Sequence, residues 1–467
     1  MYTLIINLGL RSIRGILFDE LGNKTGQEWL PVQTTLDGSR VEQDPTEWWD
    51  LAIRVTQILL RKTHVGDTVR YVSITAPSSC LVVLDKNREL LMPSLMVADK
   101  RSVVQAQEIQ QNPTLSNVLN NTNHLAEASF LWPKLMWIKE NSPEIMDKAN
   151  AFLNANDYLT YKLTGKLVTD PLNAEKFYYD PERDGYPKEL MEYCALSTEM
   201  FPTVQPIGTD IGPILPDVIK QMGLNDGTRV VLATYDAICA FLGAGVSREG
   251  DACNVSGTSL SFRVLSKQPA RKNEAGILSQ YYEPYNCYVV GGSNNLEGGL
   301  LEWARHFLYG EDLINRGPEY IYALMQEEGK ESSVGARGLT FIPYLIGERV
   351  PIWDSEARGV FFGIERYHRR PDFIRSILES TGYMALGLIR SIEESGIPVN
   401  NIRMSGGMAR LPYVCRLRAN ITGLPVSVLA EHETAALGAF MVVSQSTGLS
   451  NGIGDLAPMT QISTTYQ

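Results

Sequence analysis

Asn7-Leu8-Gly9-Leu10-Arg11-Ser12 separates two short apolar runs, Leu4–Ile6 and Ile16–Phe18. A glycine-containing polar break between apolar runs predicts a strand, a tight turn and a returning strand. The same design recurs in the second half of the chain. There Asn254-Val255-Ser256-Gly257-Thr258-Ser259 leads into Leu260-Ser261-Phe262-Arg263-Val264. Two hairpins of like design, each opening one half of the chain, predict a duplicated domain. Their turns hold small or hydroxyl residues, so backbone N–H groups there could face a phosphate. Two ordinary hairpins are the alternative reading at this point.

The chain has 467 residues, too many for one ordinary core and suited to two domains. Hydrophobic residues make up 44% and charged residues 20%, the balance of a globular enzyme. The formal charge of -11 argues against sequence-independent nucleic-acid binding, which needs basic surface to displace counterions. A bound nucleotide must therefore find cations and N–H donors gathered locally. Six cysteines, Cys80, Cys194, Cys239, Cys253, Cys287 and Cys415, form no C-x-x-C pair. Scattered thiols of this kind read as small buried residues in a reducing compartment. The opening MYTLIINLGLRSIRG has no basic region ahead of its apolar run and reads as a strand, not a signal peptide. No apolar run is long enough to span a bilayer. The expected location is the cytoplasm.

Around the two hairpins the pattern alternates between periods. Asp44-Pro45-Thr46-Glu47 has a capping Asp, Pro at the first helical position and an acid in the first turn. Trp48, Leu51, Ala52, Val55, Ile58 and Leu59 follow it at helical spacing. Pro371-Asp372 opens a second helix that Gly396 and Pro398 end. Glu431–Phe440 reads as a third. Strands are expected at Tyr71–Ile74, Leu81–Leu84, Val230–Ala233, Tyr288–Val290, Leu339–Ile342 and Pro425–Leu429. Strands alternating with helices predict an α/β class. A boundary is expected near Gly243–Glu249, where glycines and an Arg-Glu-Gly turn interrupt the pattern.

Several chemistries are excluded. There is no G-x-x-x-x-G-K-S/T phosphate loop, no G-x-G-x-x-G at a strand end and no His/Cys cluster at zinc spacing. The five histidines stand isolated. What remains is a series of short segments. Gly359-Val360-Phe361-Phe362-Gly363-Ile364 precedes Asp372-Phe373 and Ser376-Ile377-Leu378-Glu379. Lys134-Leu135-Met136-Trp137-Ile138-Lys139-Glu140-Asn141 forms another. Val41-Glu42-Gln43-Asp44-Pro45 with Trp48-Trp49, Asp157-Tyr158 through Leu163-Thr164-Gly165, and Gly347-Glu348-Arg349 with Pro351 and Trp353-Asp354 follow the same style. So do Gly406-Gly407-Met408-Ala409-Arg410 and Thr434-Ala435-Ala436-Leu437-Gly438-Ala439. In this order and spacing the chain resembles the FGGY carbohydrate kinase family, in its xylulose and ribulose kinase-like branch, over nearly its whole length.

The resemblance implies an α/β fold of two actin-like, ribonuclease H-like domains, each a mixed sheet flanked by helices, with an interdomain cleft where ATP, Mg2+ and sugar meet. The expected domains are residues 1–245, with the sugar site, the first phosphate turn and the catalytic acid, and 246–467, with the ATP site. A small sugar and ATP are the implied partners. A homodimer is common in the family, while nucleic acid and membrane are not expected partners. The resemblance makes Asp236, in Ala233-Thr234-Tyr235-Asp236-Ala237, the general base and a metal ligand. Phosphoryl transfer needs a carboxylate near the attacking hydroxyl, which fits; a helix-capping Asp is the other reading of the same residue. Gly9, Arg11 and Arg14 would serve the first phosphate turn and Gly257, Thr258 and Ser259 the second. Gly298, Gly406 and Gly407 would line adenine and ribose, where backbone must approach closely; a plain helix-entry turn is the other reading of Gly298-Gly299. Ser78 and Ser79, with Cys80, and Asp99 with Arg101 would face the sugar. The Gln-Met-His-Gly of xylulose kinases and the Arg-Glu-Thr of glycerol kinases are both absent there. A ketopentose such as xylulose or ribulose is the implied substrate class.

The first turn departs from the family pattern of Asp-x-Gly-Thr-Thr/Ser. Asn7 stands where the family has an acid that helps place the metal, so a full charge near a hard cation is missing. Leu10 replaces a hydroxyl, and Arg11 adds a cation beside Arg14. Two readings follow. In one, the arginines neutralise phosphate, Asp236 alone anchors the metal through water and activity survives at a reduced or retuned level. In the other, the protein binds nucleotide or sugar and transfers phosphate poorly, acting as a pseudokinase regulator.

Overall fold

In the computed structural model, residues 1–120, 126–180, 185–271, 276–354, 356–431, 433–450, 455 and 459–467 are described; His124 and His432 lie outside them. The chain divides into two units: Met1–Gly243 with Ala435–Met459, and Ala244–Thr434 with Thr460–Gln467.

The first unit is built on the opening hairpin. Strands β1 (Tyr2–Leu8) and β2 (Ser12–Asp19) pair antiparallel, with Asn7 opposite Arg14 and Leu8 opposite Ile13. Strand β3 (Lys24–Pro31) pairs with β2, and β4 (Val69–Thr75) runs parallel to β1 with Thr75 opposite Asn7. Beyond it lie β6 (Arg229–Val231), parallel to β4, and the antiparallel edge β5 (Asp210–Pro213). The order is β5-β6-β4-β1-β2-β3. Helix α1 (Pro45–Thr63) starts where its cap dictates, the Asp44 carboxylate accepting the Thr46 N–H at 2.8 Å. It covers the sheet with Trp48, Val55 and Leu59, all buried and each contributing about 2 kcal/mol by burial. Helices α2 (Leu131–Asn141), α3 (Ala155–Thr164) and α4 (Asp236–Gly243) follow. A second apolar cluster, around Trp132, Phe152, Phe177 and Phe201, surrounds α2.

The second unit repeats the plan. Strands β7 (Asp251–Ser256) and β8 (Leu260–Ser266) form the second hairpin, with Ser256 opposite Leu260. Strands β9 (Leu278–Tyr282) and β10 (Cys287–Asn294) extend it antiparallel. Strand β11 (Asn401–Ser405) runs parallel to β7 and β12 (Val426–Leu429) parallel to β11, with β13 (Ile462–Tyr466) as antiparallel edge. The order is β9-β10-β8-β7-β11-β12-β13. Helices α5 (Gly298–Leu308), α6 (Arg370–Glu394) and α7 (Pro412–Thr422) pack on this sheet. An antiparallel run, of three strands in the first unit and four in the second, then two parallel strands grown from its first strand, then an antiparallel edge, are common to both units. This is the actin-like α/β plan that the sequence implied, present twice.

Helix α8 (Thr434–Ser446) starts later and runs further than the expected Glu431–Phe440. Its Val442 and Val443 are β-branched and weak helix formers, yet both are buried, and packing overrides propensity. From Ala435 to Met459 the chain is back in the first unit. Phe440 stacks on Phe18 at 5.1 Å, and Gly438 lies so close to α4 that a Cβ there would stand 1.7 Å from the Cys239 carbonyl oxygen.

Candidate active site

In the first unit the candidate residues gather at the carboxyl ends of the parallel strands, where α/β sheets characteristically bind ligands. Asn7 is the penultimate residue of β1 and is 4% exposed. Its neighbour across the sheet, Thr75, ends β4. The chain then turns through Ala76, whose carbonyl accepts the Asp236 N–H at 3.0 Å. Asp236 is the first residue of α4. The segment before it is held firmly: the Thr234 carbonyl accepts from Thr75 Oγ1 at 3.0 Å and Asn156 Nδ2 at 3.2 Å. Thr234 Oγ1 donates to Asp170 at 2.8 Å, and burial raises the Asp170 carboxyl above its ordinary range.

The first turn closes with Gly9 N–H donating to the Ser12 carbonyl at 2.8 Å. The Leu10 carbonyl accepts from Gln43 Nε2 at 2.9 Å and Thr34 Oγ1 at 3.3 Å, and the Arg11 carbonyl accepts from Val32 N–H at 3.0 Å. C=O and N–H point opposite ways across a trans peptide, so the inward Leu10 carbonyl turns the Arg11 N–H outward. Leu10 is 45% exposed, Arg11 is exposed and Arg14 is half-buried.

Ser78, Ser79 and Cys80 continue from Ala76. Ser78 is half-buried and Ser79 buried, with a left-handed φ of 61°. The Ser79 N–H donates to Asn154 Oδ1 at 3.2 Å and its carbonyl accepts from Lys134 Nζ at 2.6 Å. Asp99 is 1% exposed. Its carboxylate accepts from the Val41 N–H at 2.8 Å, the Arg101 N–H at 3.1 Å and the Arg101 guanidinium at 2.8 Å. Arg101 also reaches Glu42 at 2.7 Å and stacks 4.7 Å over Trp137. Burial pushes the Cys80 thiol up to about 11, opposed by the nearby Lys134 charge and reinforced by Asp236. Asp236, Cys80, Lys134, Asp99 and Arg101 thus share one electrostatic neighbourhood.

In the second unit, Gly257 N–H donates to the Ser259 carbonyl at 3.0 Å. The turn's carbonyls are taken by the start of α5: Gly298 N–H donates to Gly257 at 2.9 Å and Glu297 N–H to Thr258 at 2.7 Å. Both peptides therefore turn the Thr258 and Ser259 N–H groups away from α5. Gly257, Thr258 and Ser259 are exposed. The approach demands glycine. A Cβ on Gly298 would stand 2.4 Å from the Gly257 carbonyl oxygen, and one on Gly406 2.5 Å from the Ser256 carbonyl oxygen. Gly406 also has a positive φ of 90°, whereas Gly407 borders open space. Beneath the turn, Glu297 binds the Ser256 hydroxyl and the Arg418 guanidinium, which in turn reaches Asn254. Glu297 and Arg418 have no exposed surface.

The model of the FGGY family of carbohydrate kinases matches twice, its N-terminal domain over residues 2–243 and its C-terminal domain over 252–445. The chain belongs to that family. A xylulose kinase of Staphylococcus epidermidis is 27% identical over 447 residues, 95% of this chain and 87% of the relative. A gluconokinase of Bacillus subtilis is 26% identical over 472 residues, 100% of this chain and 91% of the relative. The crystal structure of a gluconate kinase from Lactobacillus acidophilus superposes with a TM-score of 0.91 at 24% identity, covering 100% of this chain and 93% of that one.

FGGY kinases use ATP, generally with Mg2+, and the donor set here can be tested against both. The exposed turn Gly257-Thr258-Ser259, whose carbonyls are taken by the start of α5 and whose Thr258 and Ser259 amides face outward, fits a polyphosphate, and Gly298 and Gly406 let the backbone pack against it without a Cβ. Among the described residues no three His, Cys, Asp or Glu side chains gather as a metal site. One carboxylate, Asp236, with the neutral carboxamide of Asn7, fits an ion that Mg2+ chemistry allows to keep its waters and to be shared with substrate phosphates. Sequence reasoning missed Lys134, Glu297 and Arg418 as the buried braces of these segments. Only Lys134 left a trace, a lysine inside the apolar run Leu131-Trp132-Pro133-Lys134-Leu135-Met136.

Proposed function

We propose that this FGGY kinase transfers the γ-phosphate of Mg-ATP to a hydroxyl of a ketopentose such as xylulose or ribulose, with Asp236 as general base. The observation that carries this reading is the Asp236 backbone bond to Ala76, two residues before Ser78. It brings a carboxylate to the foot of the loop we read as the acceptor site, on the strand ends that also carry Asn7. In this reading residues 1–245 bind the acceptor and residues 246–467 the nucleotide. Ser78 and Ser79 hydrogen-bond the sugar, and the Asp99–Arg101 pair shapes its surroundings. In the first unit the Arg11 amide and the Arg11 and Arg14 guanidiniums would receive phosphate oxygens, and in the second unit the Thr258 and Ser259 amides would do so. Asp236 and Asn7 would hold the metal, which supplies charge neutralisation on the phosphates. Asp236 takes the proton of the attacking hydroxyl. Six free, buried cysteines suit a reducing compartment.

One observation favours a second acceptor class. Lys176 is 6% exposed, and its Nζ lies 5.0 Å from the ring of Tyr235, next to Asp236. A cation beside the base suits an aldonate carboxylate, the substrate class in the name of the Bacillus subtilis relative. ADP release with xylulose, ribulose and gluconate tests both. The expected result is turnover with a ketopentose that Asp236→Asn lowers by about 100-fold or more. Faster turnover of gluconate selects the second reading. No ADP above background with any acceptor overturns both and returns the chain to a binding role.

A further inference from the structure

Lys134 has no exposed surface, and it sits in α2 among Leu131, Trp132, Leu135 and Met136. Its Nζ donates to three backbone carbonyls: Ser79 at 2.6 Å, Met96 at 2.8 Å and Leu95 at 3.3 Å. An ammonium carries three protons, and three acceptors meet them. A buried charge is tolerated only when it is paired or hydrogen-bonded in this way. Methionine would fill the same space without the charge, so packing alone does not account for a lysine here.

The carbonyls it ties belong to two segments that approach the same site. Ser79 is held in the left-handed region, which a serine rarely adopts unaided. One of its flanking peptides is pinned through its N–H by Asn154, and Lys134 pins the other through its carbonyl. Met96 opens the run to Asp99, whose N–H donates to the Met96 carbonyl at 3.0 Å. One turn further along α2, Trp137 carries the Arg101 guanidinium on its ring. A single helix therefore clamps both segments.

We propose that Lys134 is a positioning residue for the acceptor site: its ammonium ties the Ser79 carbonyl to the Met96 carbonyl and fixes residues 78–80 against residues 96–101 in the geometry that receives the acceptor. This rests on the reading of Ser78 and Ser79 as the acceptor loop. Lys134 itself touches no reacting atom.

The test uses the full chain and Lys134→Met, close in volume and without donors. Steady-state kinetics separate the two substrates, and hydrogen exchange reports on residues 76–80. The acceptor KM is expected to rise by about tenfold, with the ATP KM within about twofold and exchange at residues 76–80 faster. Merely lowered stability would not move one KM and spare the other. Should Lys134→Met not fold, Lys134→Gln retains two donors on a shorter stem, and its acceptor KM is expected to rise by a smaller factor. An acceptor KM unchanged in the folded variant overturns the inference, as does unchanged exchange at residues 76–80. Either result leaves the kinase reading intact. A wild type inert towards every acceptor overturns that reading, and this inference with it.

Discussion

The two turns, Leu8–Ser12 and Ser256–Leu260, close the same kind of hairpin in equivalent sheets, yet they are held in different ways. The second is held by backbone. The first residues of α5 take its carbonyls, glycines keep the approach free, and Glu297, Arg418, Asn254 and Ser256 brace it from inside. The first is held by the side chains of Gln43 and Thr34 and by the Val32 amide just beyond β3. A turn fixed by backbone contacts leaves little room for side-chain variation. A turn fixed from outside can change its side chains, and the first turn has done so, with Asn7, Leu10 and Arg11. The division teaches that backbone contacts fix the path of the second turn, while the first turn leaves its side chains open to change.

The largest expected effect comes from breaking the second turn. Gly298→Ala forces a methyl group onto the Gly257 carbonyl, and kcat/KM for ATP is expected to fall by about 100-fold, or ~3 kcal/mol. Acceptor binding, followed by calorimetry, stays unchanged. A loss under about threefold would show that backbone does not rule this turn. Next, Arg11→Ala removes a cation from the first turn without disturbing the backbone bonds of its carbonyl. Kinetics with ATP varied should show about tenfold weaker kcat/KM, and the loss should shrink at high salt. Asn7→Asp tests the same turn in the other direction. Restoring a carboxylate should tighten Mn2+ binding in calorimetry by several-fold, about 1 kcal/mol, with or without turnover. Equal Mn2+ affinity in both proteins would make the Asn7 departure harmless.

The smallest effect separates the units by pH. Burial pulls the Lys134 ammonium from its ordinary 10.5 down to about 8. Between those values the unfolded chain binds more protons than the folded one, so this group makes the fold gain stability as pH rises. Wild type should gain on Lys134→Met by a few degrees, about 1 kcal/mol, when melting is compared near pH 7 and pH 9.5. Among the described residues no lysine side chain is hydrogen-bonded to the second turn, so Glu297→Gln should not reproduce that pH dependence.

What the sequence made legible was local. Both hairpins appear from the interruption of apolar runs, and α1 begins at its Asp-Pro cap, because strand pairing and capping depend on neighbours in the chain. Asp236 was singled out by the family resemblance, since its neighbours alone read equally as a helix start, and it is the first residue of α4. The bracing was not readable. Glu297 and Arg418 stand far apart in the chain, and nothing in their local context marks a buried pair. Lys134 shows locally only as a lysine inside an apolar run, and its three acceptors come from segments that only the fold assembles. The end of α8 was missed for a related reason, since valines that disfavour a helix are tolerated once buried.

The return of α8 to the first unit also fixes an order of assembly. Its contacts with Phe18 and Cys239 cannot form until the ribosome has made residues 244–434, a delay on the order of 10–40 s. Through that interval the earlier unit carries an uncovered apolar face, and the second unit can complete most of its own sheet first. A chain cut after residue 243 would keep that face open permanently. The last helix acts as a latch that closes the first half only when the second has been made.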